Sequence, residues 1–165
     1  MRTRPHLSAF DRPAGLLRAL PPFLTDARTP CPFVPGSLRL IARNRSGMRL
    51  FVARGIVGGI VTATAGPRGA PTTGSLGCGA ARFPEARRRQ LQHIQASGVV
   101  SVSSGQTTGQ PFTYTLVVLD GYTELRADGV TYPISDNGVI IEGLIRDRFV
   151  VISGPAGARR VRIGP

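Results

Sequence analysis

Hydrophobic and polar positions alternate with a period of two along residues 37–54. Leu38, Leu40 and Ala42 interleave with Arg39, Ile41 and Arg43. After Asn44-Arg45-Ser46-Gly47, Met48, Leu50 and Val52 interleave with Arg49, Phe51 and Ala53. Alternation across a glycine-closed turn predicts strand, turn, strand. It also places Arg39, Arg43, Arg49 and the turn residue Arg45 on or near one face. A third strand, weakened by Gly58 and Gly59, is expected from Ile56 to Thr64. Residues 66–82 then hold five glycines and two prolines, a composition that predicts a long irregular loop.

The period changes at Phe83. Pro84 suits a first helical turn, Glu85 suits the positive helix end, and Gly98 suits the stop, so a helix is expected over Phe83 to Ser97. Leu91 and Ile94 make only a thin apolar stripe. The helix is therefore expected to be exposed, and basic through Arg87, Arg88 and Arg89.

From residue 98 onward the pattern is that of short strands. Val99–Ser103, Phe112–Leu119, Tyr122–Ala127, Val130–Ile134, Val139–Ile145, Arg148–Ser153 and Arg160–Ile163 are separated by turn signals such as Asp120-Gly121, Asp128-Gly129 and Asp136-Asn137-Gly138. Turn signals about every 8–12 residues predict an antiparallel sandwich or barrel. In contrast, residues 1–36 contain seven prolines and allow one short helix, Ala14 to Leu20. Phe10, Phe23, Leu24, Phe33 and Val34 are the expected anchors of this arm.

The chain is thus expected to be mainly β. A Pro-rich basic arm (1–36) leads into a basic hairpin, Gly-rich loop and short helix (37–97), followed by a compact antiparallel β domain (98–165). The sequence has 165 residues, of which 41% are hydrophobic, enough for one packed core. No apolar run approaches the roughly 18 residues of a membrane-spanning helix.

Charge sharpens this division. All 21 basic residues are arginine, against nine acids, a net charge of +12. Residues 1–90 carry 15 arginines against Asp11, Asp26 and Glu85; residues 91–165 carry six of each sign. Arginine in place of lysine has two readings, bidentate contact with phosphate or carboxylate and GC-rich coding, with coding the favoured one; coding acts on both halves alike, however, and leaves the uneven placement unexplained. A basic front portion suggests an acidic partner. The N-terminal composition resembles an organelle transit segment, which five prolines by residue 30 argue against. No secretory signal is expected, and a virion or cytoplasmic location is favoured.

The missing lysine removes several chemistries. A phosphate-binding P-loop requires Gly-Lys-Ser/Thr, and Schiff-base catalysis requires a lysine amine. Ser135-Asp136-Asn137 matches one β-lactamase element by letter, but its lysine-containing companions cannot exist here, so a turn is expected. His6 and His93 are the two histidines; His6 is expected to be poorly held in the arm and His93 solvent-exposed. Cys31, Cys78, His6 and His93 lack metal-ligand spacing, and the two cysteines are expected to be reduced. Asp120, Glu124, Asp128, Asp136, Glu142 and Asp147 could supply a carboxylate pair, although most fall in turns.

No catalytic, cofactor-binding or metal-ligating residues are expected, and no cofactor. The expected polyanion or partner contacts are Arg39, Arg43, Arg45, Arg49, Arg54, Arg68, Arg87, Arg88 and Arg89. The favoured function is a non-enzymatic structural protein of a large particle, such as a virion capsid, tail or cement-like component. Its basic half would contact other subunits, with a homo-oligomer and nonspecific nucleic-acid contact as expected partners. The alternatives are a nucleic-acid-binding protein of a ribonucleoprotein and a small carboxylate-dependent hydrolase.

Overall fold

The computed structural model describes residues 6–13, 31–56, 58–67, 74–78, 83–106, 109 and 111–163. The expected helix over residues 14–20 lies outside them. The described chain is mainly β, with three antiparallel sheets and one α-helix. The first sheet has the order β1-β2-β3-β4, with β1 Arg39–Arg43, β2 Arg49–Arg54, β3 Ile60–Ala65 and β4 Gly74–Gly77. The middle sheet has the order β5-β6-β9, with β5 Val99–Gly105, β6 Thr113–Val118 and β9 Gly138–Glu142. The last sheet has the order β11-β10-β7-β8, with β7 Glu124–Ala127, β8 Val130–Pro133, β10 Phe149–Gly154 and β11 Gly157–Arg162. Helix α1 spans Pro84–Ser97, and a 3-10 turn spans Ser8–Asp11. Among the described residues no sheet closes into a barrel.

All seven strands expected after residue 98 are present, each a short run bounded by turn residues. Strand β6 is buried along its whole length. Tyr114, Leu116 and Val118 enter the largest cluster with Leu125, Val150, Ile152 and Val161 of the last sheet. Val117, on the other face of β6, packs with Leu7, Ala9, Ile41, Leu50 and Val52. The middle sheet therefore shares one core with each neighbour. Residues from both sides of position 97 meet in the second of these clusters.

Strand β2 is likewise buried on both faces. Leu50 and Val52 face the middle sheet, while Phe51 and Ala53 enter a third cluster with Cys31, Leu38, Val61 and Ala63. The simple alternation of residues 37–54 does not survive pairing. Arg39 lies opposite Val52 and Leu40 opposite Phe51, but Ala42 lies opposite Leu50 and Arg43 opposite Arg49, with a bulge between Leu40 and Ala42. One extra residue reverses the facing of everything beyond it. Arg39 consequently shares a face with Leu50 and Val52, and Arg43 shares the opposite face with Arg49. The expectation of one arginine face across the hairpin is corrected by this bulge.

Two more expectations change. Residues 66–82 are not wholly irregular, because Gly74–Gly77 pairs with β3, Ala65 opposite Gly74 and Thr62 opposite Gly77. Ladder bonds need only the main chain, so a glycine-rich segment can complete a sheet edge that its side chains do not advertise. Cys31 and Cys78 form a disulfide across 47 residues, not two free thiols. Strand β3 also begins at Ile60, later than expected, because Gly55 to Gly59 closes on itself through the Gly55 N–H donating to the Gly59 carbonyl at 3.1 Å.

Helix α1 follows its sequence signals closely. Pro84 opens it, Glu85 lies in the first turn, and Gly98 ends it at φ 75° with its N–H on the Ile94 carbonyl at 2.8 Å. Ile94 is the one buried residue of the helix. A Cβ on Gly98 would lie 2.5 Å from Tyr122 Cε2. Gly98→Ala is therefore expected to lower stability by about 2 kcal/mol, from the left-handed backbone penalty and overpacking against the ring. Urea unfolding measures this, and trimming the ring with Tyr122→Leu in the same chain should recover part of the alanine cost.

Candidate functional site: a polar latch and dispersed arginines

Eight of the nine expected contact arginines lie among the described residues, and these do not share one environment. Arg39, on β1, donates from Nε to the Arg12 carbonyl at 3.1 Å and from Nη1 to the Gly36 carbonyl at 2.6 Å. Arg49 is buried, with its guanidinium 5.6 Å from the Phe51 ring centroid and Nη2 3.5 Å from the Gly66 carbonyl. Arg54 stands over the Phe10 ring at 5.0 Å. Arg39 and Arg54 thus fasten the 3-10 turn onto the first sheet. Arg43 and Arg45 are exposed around the hairpin turn, and Arg87, Arg88 and Arg89 are exposed on α1. Arg68 lies outside the described residues.

The densest polar grouping involves residues that the charge pattern does not single out. It joins the N-terminal segment to the loops after β6 and before β9. The Asn137 side chain, in a residue only 6% exposed, accepts at Oδ1 from the Ala9 N–H at 3.0 Å and the Ser8 hydroxyl at 3.3 Å. Its amide donates to the Val118 carbonyl at 3.1 Å and to Asp120 Oδ1 at 2.8 Å. Asp120 also accepts the Ser8 N–H at 2.8 Å. His6 Nδ1 lies 2.5 Å from Asp120 Oδ2, and its Nε2 lies 3.2 Å from Asp11 Oδ1. Arg12 pairs with Asp136 at 3.1 Å.

The local backbone makes this grouping possible. Asp136 and Asn137 hold φ values of 54° and 73° between Ser135 and Gly138, which face each other as an isolated antiparallel bridge. The expected Asp-Asn-Gly turn is present, with its left-handed positions on Asp136 and Asn137; Asn and Asp tolerate that region best after glycine. Gly138 is needed for a different reason: a Cβ there would lie 2.8 Å from Ile41 Cδ1, where β9 approaches β1.

Ser8, His6 and Asp120 are the three residue types of a hydrolytic triad, but their bonding does not supply that chemistry. The Ser8 hydroxyl is bonded to Asn137, and both imidazole nitrogens face carboxylates. No ring nitrogen is left to take the serine proton. The grouping instead pins residues 6–12, and the expectation that His6 is poorly held is corrected accordingly. His93 is exposed, as expected.

The remaining carboxylates also serve as structural acceptors. Asp128 receives the N–H groups of Arg146 and Asp147, Asp147 receives that of Phe149, Glu124 receives the Ser153 hydroxyl, and Glu142 receives Asn44 and Ser46.

Electrostatics give the latch a pH window. The His6 pKa is raised above 6.5, chiefly by the hydrogen bond to Asp120. Burial opposes ionisation of Asp120, but hydrogen bonds from Asn137, Ser8 and His6 outweigh it and lower its pKa below 3.8. The His6 contribution is complete below pH 6.5 and is lost as pH rises through its folded pKa. The Asp120 contribution is complete above pH 3.8 and is lost as pH falls through its lower folded pKa. Both side chains are more than a third exposed, so the effect is modest. Hydrogen exchange at the Ser8 and Ala9 amides is expected to be slowest between about pH 4 and 6.5 after correction for intrinsic rates. His6→Ala should abolish the alkaline limb of that profile.

Compared with protein-family models, curated proteins and solved structures, the chain matches none.

Proposed function

We propose that this protein is a non-enzymatic structural component of a large assembly, of the capsid, tail or cement-like kind. Its middle and last sheets are read as the two layers of a sandwich. One observation carries the reading. Strands β1, β8 and β9 are each the last strand of their sheet, and they meet around one open cleft of about 430 Å³. Leu40, Ile41, Tyr132, Val139 and Ile140 supply apolar lining, with Arg43 and Asp136 among its polar residues. Unpaired strand edges are templates for pairing with another chain.

The proposed occupant is an extended segment of a neighbouring copy. The exposed Arg43 and Arg45 next to β1 would meet acidic groups of that copy. The pinned N-terminal segment supports the reading, since its Arg12 holds Asp136 of the cleft lining in place before subunits meet.

Sedimentation of the oxidised full chain at micromolar concentration tests this. The expected result is a concentration-dependent oligomer that Ser135→Lys, an exposed change on the cleft wall, shifts to monomer without altering the thermal midpoint. A chain that remains monomeric at all concentrations would overturn the proposal.

A further inference from the structure

The second half of the chain is electrically balanced in sequence, yet the fold separates its charges. In the last sheet, Val150, Ile152, Leu125 and Val161 point into the core. Their neighbours along each strand therefore point outward. Register then aligns a row across four strands: Arg160 opposite Val151, Val151 opposite Arg126, and Arg126 opposite Thr131. In an adjacent row, Arg162 lies opposite Phe149. The acids of this half are drawn elsewhere. Asp128 and Asp147 hold backbone amides at loops, Asp120 and Asp136 belong to the latch, and Glu142 holds Asn44 and Ser46. Glu124 is the one acid on this face among the described residues, at the far row, where it accepts from Ser153.

We infer that this outer face, built on Arg126, Arg160, Arg162 and Phe149, binds single-stranded nucleic acid. Three features of the face favour that occupant. Arg126 and Arg160 are exposed on the outer face, and neither has a carboxylate partner among the described residues. Strands lie about 4.8 Å apart, so the two guanidinium-bearing residues are about 10 Å apart across the sheet, with Arg162 two residues along β11 from Arg160. Such a spread lets the long arginine side chains reach phosphates of more than one nucleotide along an extended strand.

The Arg160 guanidinium also stacks 3.9 Å from the Phe149 ring centroid. A flat guanidinium held on an aromatic ring offers a planar surface on which an unpaired base stacks. An acidic protein surface would use the charge but not the plane. A duplex would offer its phosphates and keep its bases stacked internally, so the platform again favours a single strand. Helix α1 packs beside β11. The inference does not depend on the assembly reading, because it uses a different surface and a different partner.

The test is fluorescence anisotropy of the oxidised full chain with a labelled deoxythymidine oligomer at several salt concentrations, with polyglutamate as competitor. Arg126→Ala with Arg160→Ala is expected to weaken binding at least about tenfold and to reduce the magnitude of the log–log salt slope by about 1.4, two charges' worth for a single strand. Phe149→Leu is expected to weaken it at least about fivefold while leaving the salt slope unchanged, as loss of a stacking platform should. Circular dichroism confirms that each variant is folded. Arg43→Ala with Arg45→Ala, at the exposed hairpin turn of the first sheet, should leave oligomer binding nearly intact.

Absence of binding at low salt overturns the inference. So does unchanged affinity in the double arginine variant, or polyglutamate competition as effective as the oligonucleotide together with insensitivity to Phe149→Leu. Oligonucleotide binding by a monomeric chain would reject the assembly reading and leave this one standing.

Discussion

Removal of the Cys31–Cys78 bridge is expected to lower stability by about 4 kcal/mol, the chain-entropy cost of a loop closed across 47 residues. Cys31 lies 3% exposed in the cluster with Phe51, Ala53 and Val61 beneath the first sheet. Cys78 directly follows β4, whose main chain completes the sheet edge at β3. The bridge therefore restrains the glycine-rich segment next to β3 in both the folded and the unfolded chain. Cys31→Ala with Cys78→Ala should show the loss by urea unfolding, and dithiothreitol treatment of the parent chain should reproduce most of it. Equal unfolding midpoints with and without reductant would show that the bridge contributes nothing. In the reduced chain, protection of backbone amides in β3 and β4 should fall before protection in β6, because β6 is buried on both faces and lies outside the loop that the bridge closes.

The second large effect concerns Asn137. Its side chain makes four hydrogen bonds from a nearly closed site, and its backbone occupies the left-handed region. Asn137→Ala removes all four bonds, leaves the Ala9 N–H without its acceptor, and places a methyl-bearing residue at φ 73°. At about 1 kcal/mol for each of the three bonds to neutral groups and somewhat more for the one to the Asp120 carboxylate, with water able to reach part of the site, the expected loss is about 3 kcal/mol. Asn137→Gly separates the two contributions. Glycine tolerates the backbone, so it should recover about 1 kcal/mol of the alanine loss while still releasing the latch. In both variants residues 6–12 should become sensitive to protease while the middle and last sheets remain protected. An alanine variant with parental stability would show that the Ser8, Ala9 and Asp120 contacts are not what fastens this segment.

These two sites show what patterning can reveal. The seven strands after residue 98 were legible because short apolar-containing runs are bounded by turn residues: Asp128-Gly129 closes the β7–β8 hairpin, and Asp136-Asn137 turns the chain between β8 and β9. Helix α1 was legible for the same kind of reason: Pro84, Glu85 and Gly98 act locally, through backbone geometry and the helix dipole. The bulge at Ile41 was not legible, because nothing in the alternation of residues 38–43 distinguishes a regular ladder from one with an extra residue. Strand β4 was hidden because its pairing runs through peptide groups, which every residue shares.

The latch was hidden by distance. His6 meets Asp120 across 114 residues, and Ala9 meets Asn137 across 128. No local signal links such positions. The arginine face of the last sheet was half visible: Arg160 and Arg162 are spaced by two around the buried Val161, which is an outward-facing strand pattern. Averaging charge over residues 91–165 concealed it, since six arginines and six acids cancel in a sum but not on a surface.

Sequence alone determined the mainly β character, the positions of the C-terminal strands, the basic exposed helix and the exclusion of lysine-dependent chemistry, because each follows from local periodicity or from composition. Only the tertiary structure decided which arginines are turned inward, that the two cysteines join, and that residues 6–12 are pinned by Asp120 and Asn137. Those outcomes depend on register and long-range contact, where one bulged residue or one distant carboxylate reverses what a side chain faces.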